Sequence, residues 1–80
     1  MLNELKTARK AVGIKQLRKA LKSGSAKEVF LARDADPRLT EPVEEFCASQ
    51  RVACVWVETM DKLGEACGID VGAAAAALLA

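Results

Sequence analysis

Apolar positions along the chain recur with two different periods, and the two alternate. Leu2, Leu5 and Ala8 fall at helical spacing, with Lys6, Arg9 and Lys10 toward the end where the helix dipole favours cations, which predicts a helix over residues 2–9. Ala11 and Val12 form an apolar link with room for only a minimal strand. Between Gly13 and Gly24, Ile14, Leu17, Ala20 and Leu21 then share one helical face while Lys15, Arg18, Lys19 and Lys22 share another. Gly24 stands where a C-cap is expected. Val29-Phe30-Leu31-Ala32 is an unbroken apolar run bounded by charges, the pattern of a strand buried on both faces, and it implies a parallel or mixed sheet.

Arg33 to Pro37 is expected to close that strand in a loop, because Pro37 lacks a donor and Asp34 and Asp36 favour turns. Thr40 is then the predicted cap of a helix running to about Gln50. Pro42 falls in its first turn, Glu41, Glu44 and Glu45 near its positive end, and Val43, Phe46 and Cys47 on its inward face. Ala53 to Val57 is a second apolar run with the pattern of a buried strand. Thr59 caps a last helix, Met60 to Cys67, with Met60, Leu63 and Cys67 inward and Gly68 as its stop.

The tail from Ala73 to Leu79 is ambiguous residue by residue, since alanine favours helix while no polar face is present. Helix–strand alternation elsewhere favours a buried strand, its small side chains allowing a helix to pack closely on the sheet. The sum is an α/β fold, a sandwich with helices on both faces of one sheet.

Eighty residues make a single domain spanning residues 1–80, with room for one site. The formal net charge of +1 conceals a division: residues 1–33 hold nine Lys or Arg against two acidic residues, and residues 34–80 hold three against nine. Such segregation suits a basic face for an anionic polymer and an acidic remainder that discourages binding elsewhere. The chain has no histidine, and Cys47, Cys54 and Cys67 are single and widely spaced, so no metal site is readable and a nucleophilic triad lacks its usual base. The cysteines fit small buried hydrophobes in a reducing cytoplasm. No P-loop or Gly-x-Gly-x-x-Gly is present, and Gly64, Gly68 and Gly72 are better explained by capping than by phosphate binding. The expectation is a cytoplasmic, non-enzymatic binding protein with no cofactor, no signal peptide and no apolar run long enough for a membrane.

Three blocks carry a resemblance. Gly13-Ile14-Lys15-Gln16-Leu17-Arg18-Lys19, Ala32-Arg33-Asp34-Ala35-Asp36-Pro37, and Val57-Glu58-Thr59-Met60-Asp61-Lys62-Leu63-Gly64-Glu65-Ala66-Cys67-Gly68 resemble, in order and spacing, the conserved blocks of the kink-turn-binding ribosomal family, the L-seven-Ae and L-thirty-e group. The likeness covers nearly the whole chain and is strongest to the short bacterial members. It implies a three-layer α/β/α sandwich around a mixed four-stranded sheet, and RNA binding without catalysis.

In that family the N-terminus of the second helix enters the widened major groove of a kink-turn, where sheared G·A pairs follow a bulge. Gly13, Lys15, Gln16 and Lys19 occupy the matching positions, and Arg18 and Lys22 extend the same cationic helix. Asp36 matches an acidic loop residue near the flipped-out nucleotide, and Val57, Glu58, Thr59 and Met60 match the loop that packs on it. These roles are physically apt, because an A-form major groove admits side chains only where the RNA is bent open, and lysine and glutamine donors suit guanine edges and phosphates. Lys15-Gln16 replaces the Asn-Glu of archaeal and eukaryotic members, and Glu58 lies where some members carry a cation.

The implied partner is structured RNA, with ribosomal RNA and the ribosome among the targets, bound by a protein that is a monomer when free. A protein–protein interaction module of the same fold, using the acidic helix of Glu41, Glu44 and Glu45 or the sheet edge, is the competing expectation.

Overall fold

The structure is a computed structural model that describes residues 9–80. Residues 2–8 of the helix predicted over residues 2–9 lie outside the described residues, and Arg9 is not helical. In chain order the elements are β1 (Lys10–Val12), α1 (Ile14–Ser23), β2 (Ala26–Ala32), α2 (Pro37–Gln50), β3 (Ala53–Val57), α3 (Met60–Cys67) and β4 (Ala75–Leu79). The alanine-rich tail is therefore a strand, as the alternation required.

The strands form one four-stranded sheet in the order β1-β4-β2-β3. β4 runs antiparallel to both β1 and β2, with Val12 opposite Ala76 and Phe30 also opposite Ala76, while β2 and β3 are parallel with Ala32 opposite Val57. The sheet is mixed, and its two inner strands are the two with the most completely buried sequences.

Alternation along the strands sorts side chains into two cores. Val29 and Leu31 of β2 with Ala75 and Ala77 of β4 meet Leu17 and Leu21 of α1 and Val43 and Cys47 of α2 on one face. Phe30, Ala32, Ala76 and Leu78 meet Val57 and Leu63 and Cys67 of α3 on the other. Two helices thus cover one face and one covers the other among the described residues, giving the three-layer sandwich. Alanines on β4 keep the sheet surface low, and α1 and α3 pack on it from opposite sides.

Three sequence expectations are corrected. First, α2 begins at Pro37 rather than after Thr40. The Asp36 side chain accepts from the Arg38 amide at 2.9 Å, the Leu39 amide donates to the Asp36 carbonyl at 2.9 Å, and Pro37 takes the first helical position, where no amide hydrogen is needed. Thr40 is instead a buried helical residue, Pro42 lies inside the helix, and Glu41, Glu44 and Glu45 fall beyond the first turn. Second, β3 is an edge strand, with Ala53 exposed and only Val57 fully buried, because it pairs on one side alone.

Third, Gly64 is not a cap. It lies within α3 where the Val71 carbonyl oxygen comes so close that a Cβ would collide with it. Gly68 is a cap, at φ 79°, and Gly24 ends α1 at φ 76°. At α1 the Ser25 amide bonds the Ala20 carbonyl at 3.0 Å and the Gly24 amide bonds that of Leu21 at 3.2 Å, the paired closure that a left-handed residue permits.

Candidate nucleic-acid interface

Strand direction decides what meets where. β1, β2 and β3 all point the same way, so their C-terminal ends, together with the start of β4, form one edge of the molecule. Hydrogen bonds stitch this edge together. The Gly13 amide donates to the Ala75 carbonyl at 2.8 Å, Ala32 to Ala74 at 2.9 Å and Arg33 to Val57 at 2.8 Å. Residue 13 turns at φ 97°, a conformation that glycine adopts without strain, and sends the chain into α1. The N-terminus of α1 is thereby fixed beside the loops that follow β2 and β3.

No side chain caps α1 and its first turn has no acidic residue, so its free amides and positive dipole end face outward. Lys15 and Gln16 are exposed in that first turn and Lys19 in the second. Ion pairs among the described residues join Asp36 to Arg38 and Glu58 to Lys62 and involve none of the α1 cations Lys15, Arg18, Lys19 and Lys22.

The opposing loops are more strongly built than their sequence suggests. Asp34 Oδ1 accepts from the Met60 amide at 2.7 Å, while the Met60 carbonyl accepts from the Ala73 amide at 3.0 Å, so both peptide groups of Met60 are tied down. The Thr59 hydroxyl accepts from the Lys62 amide at 3.1 Å and caps α3. Lys62 reaches back to Glu58 at 2.7 Å, and that contact holds the Glu58 carboxyl below its usual range and the Lys62 ammonium above its own. Arg38 likewise grips Asp36 at 2.8 Å and lowers its carboxyl. Asp36 and Glu58, two of the acidic residues on these loops, are thus each matched by a cation.

The structure brings Gly13, Lys15, Gln16, Lys19, Asp36, Glu58, Thr59 and Met60 to the same edge. It sets the remainder apart. Val57 is 6% exposed, a core side chain beneath the loop beside Phe30 and Leu63, so it supports the surface from below. Lys22 stands in the last turn of α1, about 10 Å along the axis from Lys15, and Arg18 faces the flank of the helix. Asp36, although at the edge, has its carboxylate engaged in capping α2. The residue that sequence reasoning set aside is Asp34; its only signal was a carboxylate two residues past the end of a buried strand. Arg33 lies over the Trp56 ring at 5.8 Å beside this edge.

Among the described residues no three His, Cys, Asp or Glu side chains come together as a metal ion requires, and no helix is long and apolar enough to cross a membrane.

A basic helix N-terminus set against two strand-end loops, at the C-terminal edge of a mixed sheet, defines a small α/β/α domain. The chain belongs to the ribosomal protein L7Ae/L30e/S12e/Gadd45 family, whose profile matches residues 2–79. It is 50% identical over 68 residues, 85% of this chain and 83% of the other, to an RNA-binding protein of Bacillus pumilus (strain SAFR-032). It is 44% identical over 75 residues, 94% of this chain and 92% of the other, to RNA-binding protein YbxF of Geobacillus stearothermophilus. Among solved structures, the Giardia lamblia 15.5kD RNA binding protein superposes with a TM-score of 0.89 at 27% identity, over 99% of this chain and 70% of that one.

Proposed function

We propose that this protein binds RNA at kink-turns, through the α1 N-terminus and the loops after β2 and β3, and that it does so as a cytoplasmic, ribosome-associated monomer. The observation that carries the reading is the shared sheet edge: Gly13 fixes the uncapped end of α1 beside loops held by Asp34 and Thr59. Family membership and relatives named as RNA-binding proteins support it.

A helix end enters an A-form major groove only where a bend has opened it. Lys15, Gln16 and Lys19 then supply donors to guanine edges and phosphates, Gly13 lets the backbone approach, and the Glu58–Met60 loop forms a firm surface for a splayed base. The bound RNA keeps its own chemistry, since the chain contributes position and charge and no reacting group.

A gel-shift series tests this. A kink-turn RNA, a duplex of equal length and a kink-turn lacking its G·A pairs are titrated in parallel, and only the first is expected to bind tightly. Equal affinity for all three would reduce the function to polyanion binding. Absence of binding to any would favour a protein partner on the acidic side of α2. Co-sedimentation with ribosomal subunits checks the ribosome association.

A further inference from the structure

The two edge strands of the sheet are built differently. β1 is three residues long and carries Lys10, a short charged strand of the kind that resists further pairing. β3 has five residues, Ala53-Cys54-Val55-Trp56-Val57, with no charge and no proline, and it lies against β2 in unbroken register. On its outer side no strand pairs with it among the described residues. In a parallel ladder alternate residues turn both backbone groups to the same neighbour. The Val57 carbonyl accepts from the Arg33 amide on the β2 side at 2.8 Å, so Ala53, Val55 and Val57 face β2, while the amides and carbonyls of Cys54 and Trp56 face outward.

Beside this open side stands one flank of α2. The helix joins β2 to the parallel β3, lies back along both and packs on both. Burial, then the charges of Cys47 and Glu44, raise the Cys54 thiol, which sets the Glu44 carboxylate close to β3. Glu41 is one turn before Glu44, on the same side of the helix. Both are exposed, and neither meets a cation within ion-pair distance among the described residues. On the other face of the sheet β3 presents Val55, partly buried and apolar.

Unpaired backbone groups with carboxylates on one face and an apolar side chain on the other specify their complement. We infer that β3 takes up an extended segment of another protein as an added strand, with lysine or arginine at alternate positions against Glu41 and Glu44 and apolar residues between them against Val55. Main-chain hydrogen bonds at Cys54 and Trp56 supply the grip, and the glutamates select the charge. Two other occupants meet repulsion. A second copy paired β3 to β3 about a twofold axis would set two α2 helices on the same face with their glutamates turned toward each other. RNA would bring phosphates to the same carboxylates. The surface is separate from the basic end of α1, and the inference stands whether or not that end binds RNA.

Trp56 is the chain's one tryptophan, so its emission reports occupation of this strand. The probes are three synthetic peptides: lysine alternating with valine, glutamate alternating with valine, and lysine alternating with proline, which keeps the charge but lacks the donors of a ladder. The lysine–valine peptide is expected to shift the Trp56 emission, to slow hydrogen exchange at the outward amides of Cys54 and Trp56, and to bind about tenfold more tightly than either of the others. Glu41→Gln/Glu44→Gln changes two exposed side chains and should weaken that binding about tenfold, with an unchanged thermal midpoint and no loss of affinity for kink-turn RNA. Either control peptide binding as tightly as the lysine–valine one, protection that falls on amides away from β3, or a double variant that takes the peptide as well as wild type overturns the inference. So does an emission shift that grows with protein concentration in the absence of peptide, which would make a second copy the occupant.

Discussion

Asp34 and Asp36 are two positions apart, both exposed, and serve different elements: one ties down the Met60 amide and the other caps α2. Asp34→Ala should leave that amide to water and loosen the Glu58–Met60 loop, costing about 1 kcal/mol of stability and weakening RNA binding beyond that loss; Asp34→Asn, which keeps an acceptor, should do little. Thermal melts beside RNA titrations distinguish the two effects. Lys19→Ala makes the opposite comparison. The side chain lies outside the core, so binding should fall by about 1 to 3 kcal/mol with an unchanged thermal midpoint. A variant that binds as well as wild type would remove Lys19 from the interface. At Val57 the structure changes what a substitution measures. Its burial means that Val57→Asp places a carboxylate in the core, destabilising the fold by about 3 kcal/mol, so any lost binding would report unfolding and not a missing base contact.

At the scale of elements, helix ends were legible wherever one residue type had one plausible use. Gly13 and Gly24 bracket α1, and Thr59 and Gly68 bracket α3, as the sequence predicts. α2 was misplaced at its start because Asp36-Pro37 serves equally as a turn and as a cap with proline at the first helical position, and only the tertiary position of the chain decides. Gly64 was misassigned because a close approach by Val71, seven residues on, has no local signature. Gly64→Ala should therefore destabilise α3 by about 1 to 3 kcal/mol, although alanine is the better helix former, with the loss read from denaturant midpoints. The end of α2 supplies the converse. Arg51 closes that helix at φ 58°, where a side chain is strained, and its amide and that of Val52 make the same paired closure seen after α1. Arg51→Gly should raise the thermal midpoint, the relief of a left-handed side chain outweighing by about 0.5 kcal/mol the entropy glycine adds to the unfolded chain.

For the molecule as a whole, alternating periods revealed the three layers and the charge division marked the basic helix, but neither specified strand order. That order makes β3 an edge and gathers three strand ends beside Gly13, and it depends on pairings between residues far apart in the chain. Stability should decline at both ends of the pH scale. Asp36 and Glu58 have folded values lowered by Arg38 and Lys62, so their contribution is complete above the unfolded values near pH 4 and is lost as pH falls through the lower folded ones. Burial, then the neighbouring Cys47 and Glu44, push the Cys54 thiol from 9.0 up to about 11, so the folded state keeps a proton that the unfolded chain releases. Its contribution is complete below pH 9 and disappears toward pH 11, and Cys54→Ala should flatten that alkaline decline in thermal melts. The central place of β4 has a consequence in time. It is the last strand in chain order, yet within the sheet β1 is joined to β2 only through it, the Gly13 amide meeting Ala75 and the Ala32 amide meeting Ala74. During synthesis the two halves of the interface therefore stay unjoined until those alanines have been made, so a nascent chain stalled at Gly72 should be cut readily by protease and should not hold RNA, and release of the remaining residues should establish both properties in one step.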